Sequence, residues 1–499
     1  MTARVIVVGG GPSGLTVATE LARAGVDVVV LERRTQPVQS RAGTVLPRVL
    51  ELLDSRGLAQ KFIDRAATIR SNPLIPVHIW AGMQPVEWRH LESRFGFRLV
   101  LPQNHTEELL LEEALRLGVV VRHGVTVESV VQQSTAVTVT ATAEDGPVSL
   151  SADYLVGADG GRSIVRSQLG LDFEGHGPTF TGIVADLRMD RPWPEARRMI
   201  DNDKGWVTSF PFGENESITR FNIVHAERRH APAAEPVTAD EVRRCLTDVL
   251  EKDLPFDDLV WASRFTDSLR IATKFQQGRV FLVGESARIH YPASGVGMNF
   301  CIQDAFNLGW KLAAVINEHA GPALLETYEA ERRPVAEALL RSVAAQCSVQ
   351  FDFTPEGVEF KRMFERDLLP IPEVNRRIGL ELNGLSFPYP AESHHHPMVG
   401  YRCPDLDLVT ATGPIRMGEM LRDSALVLID ATGAGTYADL TLQGAPVRAH
   451  TGHIVLAPTG LGEVTSLLVR PDGYIAWASA DAPAREDAQL AIKRCLAVD

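Results

Sequence analysis

The stretch Val5-Ile-Val-Val-Gly-Gly-Gly-Pro-Ser-Gly14 joins an apolar run directly to a glycine-rich turn. The continuous β-branched run predicts a strand that is buried on both faces. Apolar residues from Leu15 to Ala22 then recur at helical spacing, and a second run, Val28-Val-Val-Leu31, ends at Glu32. This order of strand, glycine turn, helix, strand and acid predicts a parallel α/β unit that binds a dinucleotide.

Each residue type in this motif has a physical reason. Gly9 lets the chain turn sharply off the strand, Gly11 leaves room for a pyrophosphate, and Gly14 lets the helix lie close to the strand. The free N–H groups of the first helical turn, which includes Ser13, and the helix dipole favour a bound phosphate. Glu32 follows Gly14 by 18 residues, and an acid at about 20 residues accepts hydrogen bonds from a ribose in dinucleotide folds.

Two later segments repeat the pattern of a strand that runs into a turn. The first is Tyr154-Leu-Val-Gly-Ala-Asp-Gly160, and the second is Arg279-Val-Phe-Leu-Val-Gly284. The second continues through Ala293-Ser-Gly-Val-Gly-Met-Asn299 into a predicted helix from Ile302 to Ile316. We interpret this helix start as a second anion-binding end at the same site, with a buried structural turn as the alternative.

Together these segments resemble the class A flavoprotein monooxygenases, the family of p-hydroxybenzoate hydroxylase, and more narrowly the bacterial hydroxylases of aromatic polyketides. The resemblance covers nearly the whole chain. It is carried by eight ordered blocks, Gly9–Gly14, Glu32-Arg33, Ser40–Gly43, Pro102–Glu107, Gly157–Arg162, Gly284–Asn299, Gln303–Lys311 and Tyr328–Arg332. It implies an α/β fold, in which a dinucleotide-binding parallel sheet has helices on both faces, with an inserted β-sheet substrate domain and a C-terminal thioredoxin-like domain.

The resemblance also implies which residues contact FAD. In the family, the position of Glu32 binds the adenosine ribose and that of Glu285 contacts the ribityl chain. Asp159 belongs to a motif that serves both FAD and NAD(P)H. The other implied contacts are Arg33, Arg41, Gln103 and a loop along the isoalloxazine that contains Pro292, Gly295, Gly297, Met298 and Asn299.

The chain departs from the family pattern at three places. Glu285 stands where the family usually has Asp, and its longer side chain must shift the ribityl contact. Arg288 stands where His is usual, and Ser294-Gly-Val-Gly297 replaces Gly-Gly-Gln-Gly. The two glycines that remain lead us to expect that the backbone path of this loop is kept.

The activity that the resemblance implies is hydroxylation of an aromatic, polyketide-derived small molecule. NADPH or NADH reduces the flavin, O2 then gives a C4a-hydroperoxide, and its distal oxygen is transferred to an electron-rich ring carbon. A base that deprotonates the substrate is a further requirement of some such reactions. His290, Arg288 and Arg220 are candidates, and because no spacing selects one, the catalytic side chain stays open.

Three other functions compete with hydroxylation. A Baeyer–Villiger or ring-rearranging oxygenase would share every motif. A flavin halogenase would need a Trp-rich motif and a lysine beside a substrate tunnel, and we find neither in the sequence. A flavin-binding protein that guides a reactive metabolite without oxygenation is the third, and the departures at Glu285, Arg288 and Ser294 are the reason to consider it.

Domain boundaries follow from the order of the blocks. The FAD domain is discontinuous, over residues 1–75, 99–178 and 276–390. Residues 76–98 and 179–275 show the alternation of strands and form the predicted substrate domain. Its aromatic residues either line a substrate pocket or belong to a sheet core, and we favour the core. Residues 395–499 form the thioredoxin-like unit, which lacks a C-x-x-C pair and therefore dithiol chemistry.

Composition excludes several classes of function. The net charge of −13 and the pI of about 5.6 argue against nucleic-acid binding. No apolar run is long enough to span a membrane, and the N-terminal residues do not resemble an export signal, so we expect a cytoplasmic monomer or homodimer. The five cysteines form neither a disulfide framework nor a zinc site, and His394-His-His396 is interpreted as a solvated loop rather than a metal site.

Overall fold

The computed structural model describes residues 4–36, 42–189, 199–212, 218–391, 396–440, 442, 444, 446–455 and 459–498. Its central sheet has six strands, in the order Gln276–Gln277, Val280–Leu282, Tyr154–Gly157, Val5–Val8, Val28–Glu32 and Val120–His123. All neighbours pair in parallel except the antiparallel edge pair of the first two strands. The carboxyl ends of four buried strands therefore lie at one edge of the sheet.

Nine α-helices belong to this domain in the part of the chain that is described. They are Pro12–Arg23, Pro47–Asp54, Ala59–Ile69, Gln103–Arg116, Ile164–Gln168, Gly297–Ile316, Glu326–Gln350, Pro355–Met363 and Pro372–Leu382. The first helix and the helix from Gly297 pack closely, because a Cβ atom on Gly309 would lie 2.6 Å from Cβ of Glu20. The predicted dinucleotide-binding α/β fold is confirmed. The helix expected to begin at Ile302 begins five residues earlier, at Gly297.

Small sheets join this domain to its neighbours. One is an antiparallel meander of Thr126–Gln132, Val137–Ala143 and Gly146–Ala152. Others combine Phe173–His176 with Leu269–Ala272 and Arg288–Ile289, and Thr44–Val45 with Arg98–Val100 and Leu74–Ile75. A separate hairpin, Val77–Trp80 with Met83–Glu87, packs on the helix Pro372–Leu382.

The inserted sheet has five antiparallel strands, in the order Met199–Asn202, Gly205–Phe212, Ile218–His225, Thr181–Arg188 and Asp258–Thr266. A helix, Ala239–Leu250, covers one face, and Thr238 caps its start by accepting a hydrogen bond from the Glu241 N–H at 3.2 Å. Ile183, Ala185 and Leu187 pack against this helix. Because side chains alternate along a strand, the intervening residues lie on the opposite side, which we call the inner face.

The C-terminal residues form a separate α/β unit. A mixed sheet contains Val447–Thr451, Leu426–Asp430, Ser466–Val469 and Ile475–Ser479, and a smaller one contains Gly413–Arg416, Asp407–Thr410 and His453–Val455. Helices Met417–Met420 and Arg485–Cys495 complete it. All five cysteines are free thiols. Among the described residues there is no metal-binding cluster and no helix long and apolar enough to cross a membrane; His394 and His395 lie outside those residues.

A buried ionic network attaches the C-terminal unit to the helices of the domain that contains the central sheet. Lys311 donates to Glu331 Oε2 at 2.6 Å, and Arg470 donates to both oxygens of Glu331 at 2.7 and 2.8 Å. Burial would raise the pKa of Glu331, but Arg470 and Lys311 hold it at about 2. Arg56 adds hydrogen bonds to the carbonyls of Leu421 and Pro471 at 3.1 and 3.0 Å.

Candidate functional site

Three glycine-containing turns meet at the carboxyl edge of the central sheet. They follow the strands Val5–Val8, Tyr154–Gly157 and Val280–Leu282. Gly9 has φ +108°, and a Cβ atom there would collide with the carbonyl of Ala158. A Cβ on Gly14 would collide with the carbonyl of Gly9, so this glycine permits the close packing of helix and strand. At Gly11, by contrast, no atom lies within 4 Å of the position of a Cβ. The space beside Gly11 therefore fits the pyrophosphate of a dinucleotide such as FAD.

The third turn brings two helix starts together. Gly284 has φ +69°, and a Cβ atom there would lie 2.5 Å from Ser13 Oγ and 3.1 Å from Cys301 Cβ. Ser13 is in the first turn of its helix, and Cys301 is near the start of the helix from Gly297. The exposed Glu285 follows this turn. Two positive helix ends and Glu285 therefore lie beside the open space at Gly11.

Glu32 is held at the end of its strand by a set of hydrogen bonds. It accepts from the backbone N–H groups of Gly10 and Arg34, both at 2.7 Å, and from Arg34 Nε at 3.0 Å. Burial would raise the pKa of Glu32, but these bonds and the charge of Arg34 lower it below the ordinary value. Its carboxylate is thus ionised and oriented toward the edge of the sheet.

The guanidinium group beside Glu32 belongs to Arg34 rather than to Arg33. Arg34 also bonds to Glu107 at 3.3 Å, whereas Arg33 is exposed. The sequence analysis missed Arg34, although a residue two positions beyond Glu32 has its side chain on the same side of an extended chain. The FAD contact of Arg33 stays a prediction, and Arg41 lies outside the described residues.

Gln103 is the first residue of a helix at this edge, and Asp159 lies in the turn before another helix. Gln103 Nε2 donates to Glu107 at 2.8 Å, and the Gln103 backbone N–H donates to the Ala42 carbonyl at 3.0 Å. Asp159 accepts from Ser163 Oγ at 2.5 Å and from the Ile164 N–H at 2.7 Å, so it caps a short helix. Burial raises the pKa of Asp159 despite these bonds.

The loop Pro292–Asn299, which we call the flavin loop, leads into the first turn of the long helix. Pro292 and Gly295 are exposed, and Gly297 and Met298 are half-buried. Asn299 is buried, accepts from the Leu46 N–H at 2.8 Å and donates to the Thr44 carbonyl at 3.1 Å. The amide of Asn299 thus ties the loop to the segment after residue 42. The free N–H groups of the helix start lie at residues 297–299.

Ser294 is the strained residue of the flavin loop. It has φ +51°, a left-handed conformation that a non-glycine residue rarely adopts. Its hydroxyl donates to Gln346 Oε1 at 2.9 Å, and His78 Nε2 donates to its carbonyl at 2.6 Å. The family has glycine at this position. In this chain, Gln346 in the helix Glu326–Gln350 and His78 in the hairpin hold the conformation of Ser294.

His290 is the one candidate base that can accept a proton. Its Nδ1 lies 2.6 Å from the Tyr291 carbonyl, which only accepts, so Nδ1 carries the hydrogen and Nε2 is the acceptor. A Cβ on Gly297 would lie 3.5 Å from Nε2. Burial lowers the pKa of His290 to about 4. The imidazole is therefore neutral at neutral pH and a weak base, better suited to accept a hydrogen bond.

The two arginine candidates are buried ion-pair partners. Arg288 donates to Asp304, which also accepts from Arg332 Nε at 2.7 Å. Burial would lower the pKa of Arg288, but the charge of Asp304 raises it. Arg220 donates to both oxygens of Asp186 at 2.6 and 2.7 Å. Since guanidinium groups do not lose their proton in proteins, the geometry argues against both as bases.

The aromatic residues of segment 76–98 are all buried or half-buried. Trp88 is fully buried and Phe95 is 9% exposed, so both belong to the core, as favoured above. Trp80 is half-buried and stacks on Phe364 with ring centroids 5.4 Å apart. Phe97 is half-buried and meets Phe95 edge to face.

Comparison with known proteins agrees with this geometry. A family model described as an FAD binding domain matches residues 2–343, and one described as aromatic-ring hydroxylase, C-terminal, matches residues 396–497. A 12-dehydrotetracycline 5-monooxygenase/anhydrotetracycline 6-monooxygenase from Streptomyces rimosus subsp. rimosus is 38% identical over 95% of both chains. The solved structure of an anhydrotetracycline hydroxylase from Streptomyces rimosus has a TM-score of 0.87 at 36% identity over 99% of both chains. A dialkyldecalin synthase from Streptomyces rugosporus is 33% identical over 96% of both chains.

Proposed function

The chain belongs to the FAD-dependent aromatic-ring hydroxylases, and on that premise we propose that it hydroxylates an aromatic, polyketide-derived small molecule with NAD(P)H and O2. The observation that carries the proposal is the open space at Gly11, where two helix starts and the turn after Gly284 meet. Such a site favours a dinucleotide, and the inserted sheet reaches the segment before the flavin loop, where Phe265 packs against Tyr291.

Each part of the carboxyl edge of the central sheet would hold a different part of FAD. Residues 9–14 would bind the pyrophosphate through backbone N–H groups, and Glu32 would bind the adenosine ribose. Arg33, Arg41 and Gln103 would complete the adenosine side, Glu285 would bind the ribityl chain, and the flavin loop would lie along the isoalloxazine. FAD bound there supplies hydride acceptance from the nicotinamide and the activation of O2.

The protein's own task is then to orient the ring and to exclude water. The backbone N–H groups at residues 297–299 would stabilise negative charge at the carbonyl end of the flavin. The neutral imidazole of His290 would hold the start of the flavin loop through its bond to the Tyr291 carbonyl. The catalytic side chain, if the substrate needs a base, stays unassigned. We expect the enzyme to act in the cytoplasm as a monomer or homodimer, without nucleic acid or membrane.

A second candidate function is the guidance of a reactive metabolite on bound flavin without oxygenation. The similarity to a dialkyldecalin synthase favours it, as do the residues Arg288 and Ser294 that depart from the family pattern. Baeyer–Villiger chemistry on the same scaffold is the remaining alternative.

NADPH oxidation by the FAD-loaded protein, with anhydrotetracycline as the probe, tests the proposal. Hydroxylation predicts that the probe stimulates NADPH oxidation and that the product gains one oxygen with its rings intact. Oxygen gain with a ring opened or expanded would favour the Baeyer–Villiger alternative. If every aromatic probe leaves the slow oxidation of NADPH unchanged, the monooxygenase proposal is wrong and the guidance function replaces it.

A further inference from the structure

The inner face of the inserted sheet is organised in three rows that run across its strands. Strand register places Thr208 opposite Asn222, Asn222 opposite Val184, and Val184 opposite Ser263. These four residues form the middle row, and three of the four side chains are polar. We call Thr208, Asn222 and Ser263 the polar row.

Aromatic side chains flank the polar row on both sides. One neighbouring row contains Phe210, Arg220, Asp186 and Trp261, and the other contains Trp206, Val224, Gly182 and Phe265. Phe210, Trp261 and Phe265 are half-buried. A flat ring system laid on this face would therefore contact aromatic groups at both ends and polar groups in the middle.

The two ends of the inner face meet the segments that surround the flavin loop. At one end, the rings of Phe265 and Tyr291 have centroids 5.5 Å apart, and Tyr291 directly precedes the loop. At the other end, Phe212 lies 3.9 Å from the position of a Cβ on Gly43. The next residue, Thr44, accepts a hydrogen bond from Asn299 at the end of the loop. The polar row therefore lies between a contact with Tyr291, which precedes the loop, and a contact with Gly43, whose neighbour Thr44 bonds to the loop.

The side-chain amide of Asn222 is the strongest polar group in the row. It is half-buried, and no described residue of the chain makes a hydrogen bond with it. The hydroxyl of Thr208 likewise bonds to no described residue, and Ser263 Oγ makes a bond of 3.3 Å to the Arg264 carbonyl. Polar groups in a partly closed space keep hydrogen-bonding capacity for a ligand.

Beside the polar row, the charged residues of the inner face are already neutralised within the protein, and the exposed Arg188 lies two positions beyond Asp186 on the side away from that row. Arg220 and Asp186 form a buried bidentate pair, and the guanidinium lies 3.6 Å above the ring of Phe212. Asp201 pairs with Lys361 at 2.6 Å. A ligand carboxylate would leave water without gaining an opposite charge there, and burying an unpaired charge is costly.

We infer that Asn222 is a specificity-determining residue that selects fused aromatic rings with neutral keto or hydroxyl oxygens along one edge and rejects carboxylates. Its amide donates to a keto oxygen and accepts from a hydroxyl, with Thr208 beside it. The inference deepens the proposed function, because the same site would hold the ring for oxygenation.

Binding to the oxidised, FAD-loaded protein without NADPH tests this inference apart from the reaction. The probe is 1,8-dihydroxyanthraquinone, with anthraquinone-2-carboxylate as the charged comparison, and the change in flavin absorbance gives the dissociation constant. The wild type should bind the dihydroxy compound more tightly. Asn222→Leu should weaken its binding about tenfold, the value of one or two lost hydrogen bonds, and Thr208→Val should weaken it by a smaller factor.

A matched control lies on the helix side of the strand Ile218–His225, which also carries Asn222. Thr219→Val removes a buried hydroxyl from the helix side of the sheet, and its binding should equal that of the wild type. Flavin content and melting temperature of each variant check folding. If Asn222→Leu does not fold, the dissociation constants of Thr208→Val and Thr219→Val are compared instead. Equal binding by Asn222→Leu and wild type, or tighter binding of the carboxylate, would overturn the inference.

The two proposals fail in different ways. Selective binding of the dihydroxy compound without NADPH-dependent oxygen transfer would leave the role of Asn222 in place and refute the monooxygenase. Oxygen transfer that the Asn222→Leu and Thr208→Val variants perform with unchanged KM would refute the role of the polar row and leave the monooxygenase in place.

Discussion

Ser294 donates a hydrogen bond of 2.9 Å to Gln346, and this bond joins a left-handed residue of the flavin loop to the helix Glu326–Gln350. Ser294→Ala should lower the free energy of unfolding by about 1–2 kcal/mol. The alanine keeps the strained left-handed backbone, and Gln346 Oε1 loses one hydrogen bond. Ser294→Gly should change the free energy of unfolding by less, since glycine adopts positive φ without strain. Urea denaturation of the two variants measures the difference.

The double variant Ser294→Ala with Gln346→Leu is the control for this bond. Its effect should be smaller than the sum of the single effects by about 1 kcal/mol if the two side chains act through one hydrogen bond. Strict additivity would show that Ser294 and Gln346 do not stabilise the fold through a shared hydrogen bond.

Gly11 separates the binding of FAD from the stability of the fold. Gly11→Val should give a folded but colourless protein, because its Cβ meets no protein atom and would occupy the space of the pyrophosphate. Gly14→Ala should impair folding itself, since its Cβ would collide with the Gly9 carbonyl. Absorbance of bound flavin and circular dichroism distinguish the two outcomes.

Gly462→Val is the matched control for this prediction. Gly462 is exposed in the C-terminal unit, and no atom lies within 4 Å of the position of its Cβ. The control should keep both fold and flavin. A Gly11→Val protein that purifies with a full complement of FAD would show that the pyrophosphate lies elsewhere.

Glu285 is expected to affect FAD affinity with little effect on folding, because it is exposed. Glu285→Leu should weaken FAD binding by about 1–3 kcal/mol, since ribityl hydroxyls would lose a charged acceptor. Glu285→Asp should retain FAD. Titration of the apoprotein with FAD gives the dissociation constants, and an unchanged constant for Glu285→Leu would remove this residue from the ribityl site.

The pH dependence of stability should carry a contribution from His290. Its pKa of about 4 in the folded protein lies below the 6.5 of an ordinary histidine. The folded state therefore binds fewer protons than the unfolded state between these values, and the stability from neutral His290 is present above pH 6.5 and is lost as pH falls toward 4. For this partly buried group the loss is about 2 kcal/mol.

His290→Gln removes the titrating group. Melting temperatures between pH 7 and 4 should fall less steeply for this variant than for the wild type. Parallel pH profiles for the two proteins would show that His290 titrates with an ordinary pKa in the folded state.

Arg470 should be a large contributor to stability although it is remote from the flavin loop. Among the described residues, Arg470→Met leaves Glu331 with Lys311 as its one charged partner, and loss of one member of a buried pair costs about 3–5 kcal/mol. Arg485→Met removes an exposed pair with Asp439 and should change the free energy of unfolding by less than about 1 kcal/mol. Thermal unfolding compares them, and equal effects would contradict the importance of the network.

Deletion from residue 395 onward extends the same prediction. The truncated chain should lose solubility because it uncovers Trp310 and Leu324, which pack in a cluster with Leu426 and Leu428. Any soluble fraction should keep FAD and form the same product. A stable truncated protein that forms a different product would place the C-terminal unit at the active site.

The sequence predicted the elements whose signals are local. The strand at Val5–Val8, the turn at Gly9 and the acid at the end of Val28–Glu32 lie within one short stretch, and each follows from residue type and spacing. The resemblance then added the inserted sheet and the C-terminal unit. The start of the helix at Gly297 was placed too late, because glycine and valine give no helical signal and the first turn is fixed by Asn299 bonding to Leu46.

The features that sequence reasoning missed depend on contacts between distant residues. Nothing near Ser294 indicates Gln346, and no local pattern places Asn222 in a row with Thr208 and Ser263, because strand register decides it. Arg288 and Arg220 were candidates by residue type alone. Their burial against carboxylates changes what they can do.

The bond from Arg470 to Glu331 spans 139 positions of the chain, and this separation affects folding during translation. When Glu331 and Lys311 have emerged from the ribosome, the nascent chain still lacks the guanidinium of Arg470 that completes their ion network. Translation must pass Arg470 before these helices reach their final environment. A ribosome stalled before Arg470 would therefore present helices with an incomplete buried ion network to chaperones and proteases.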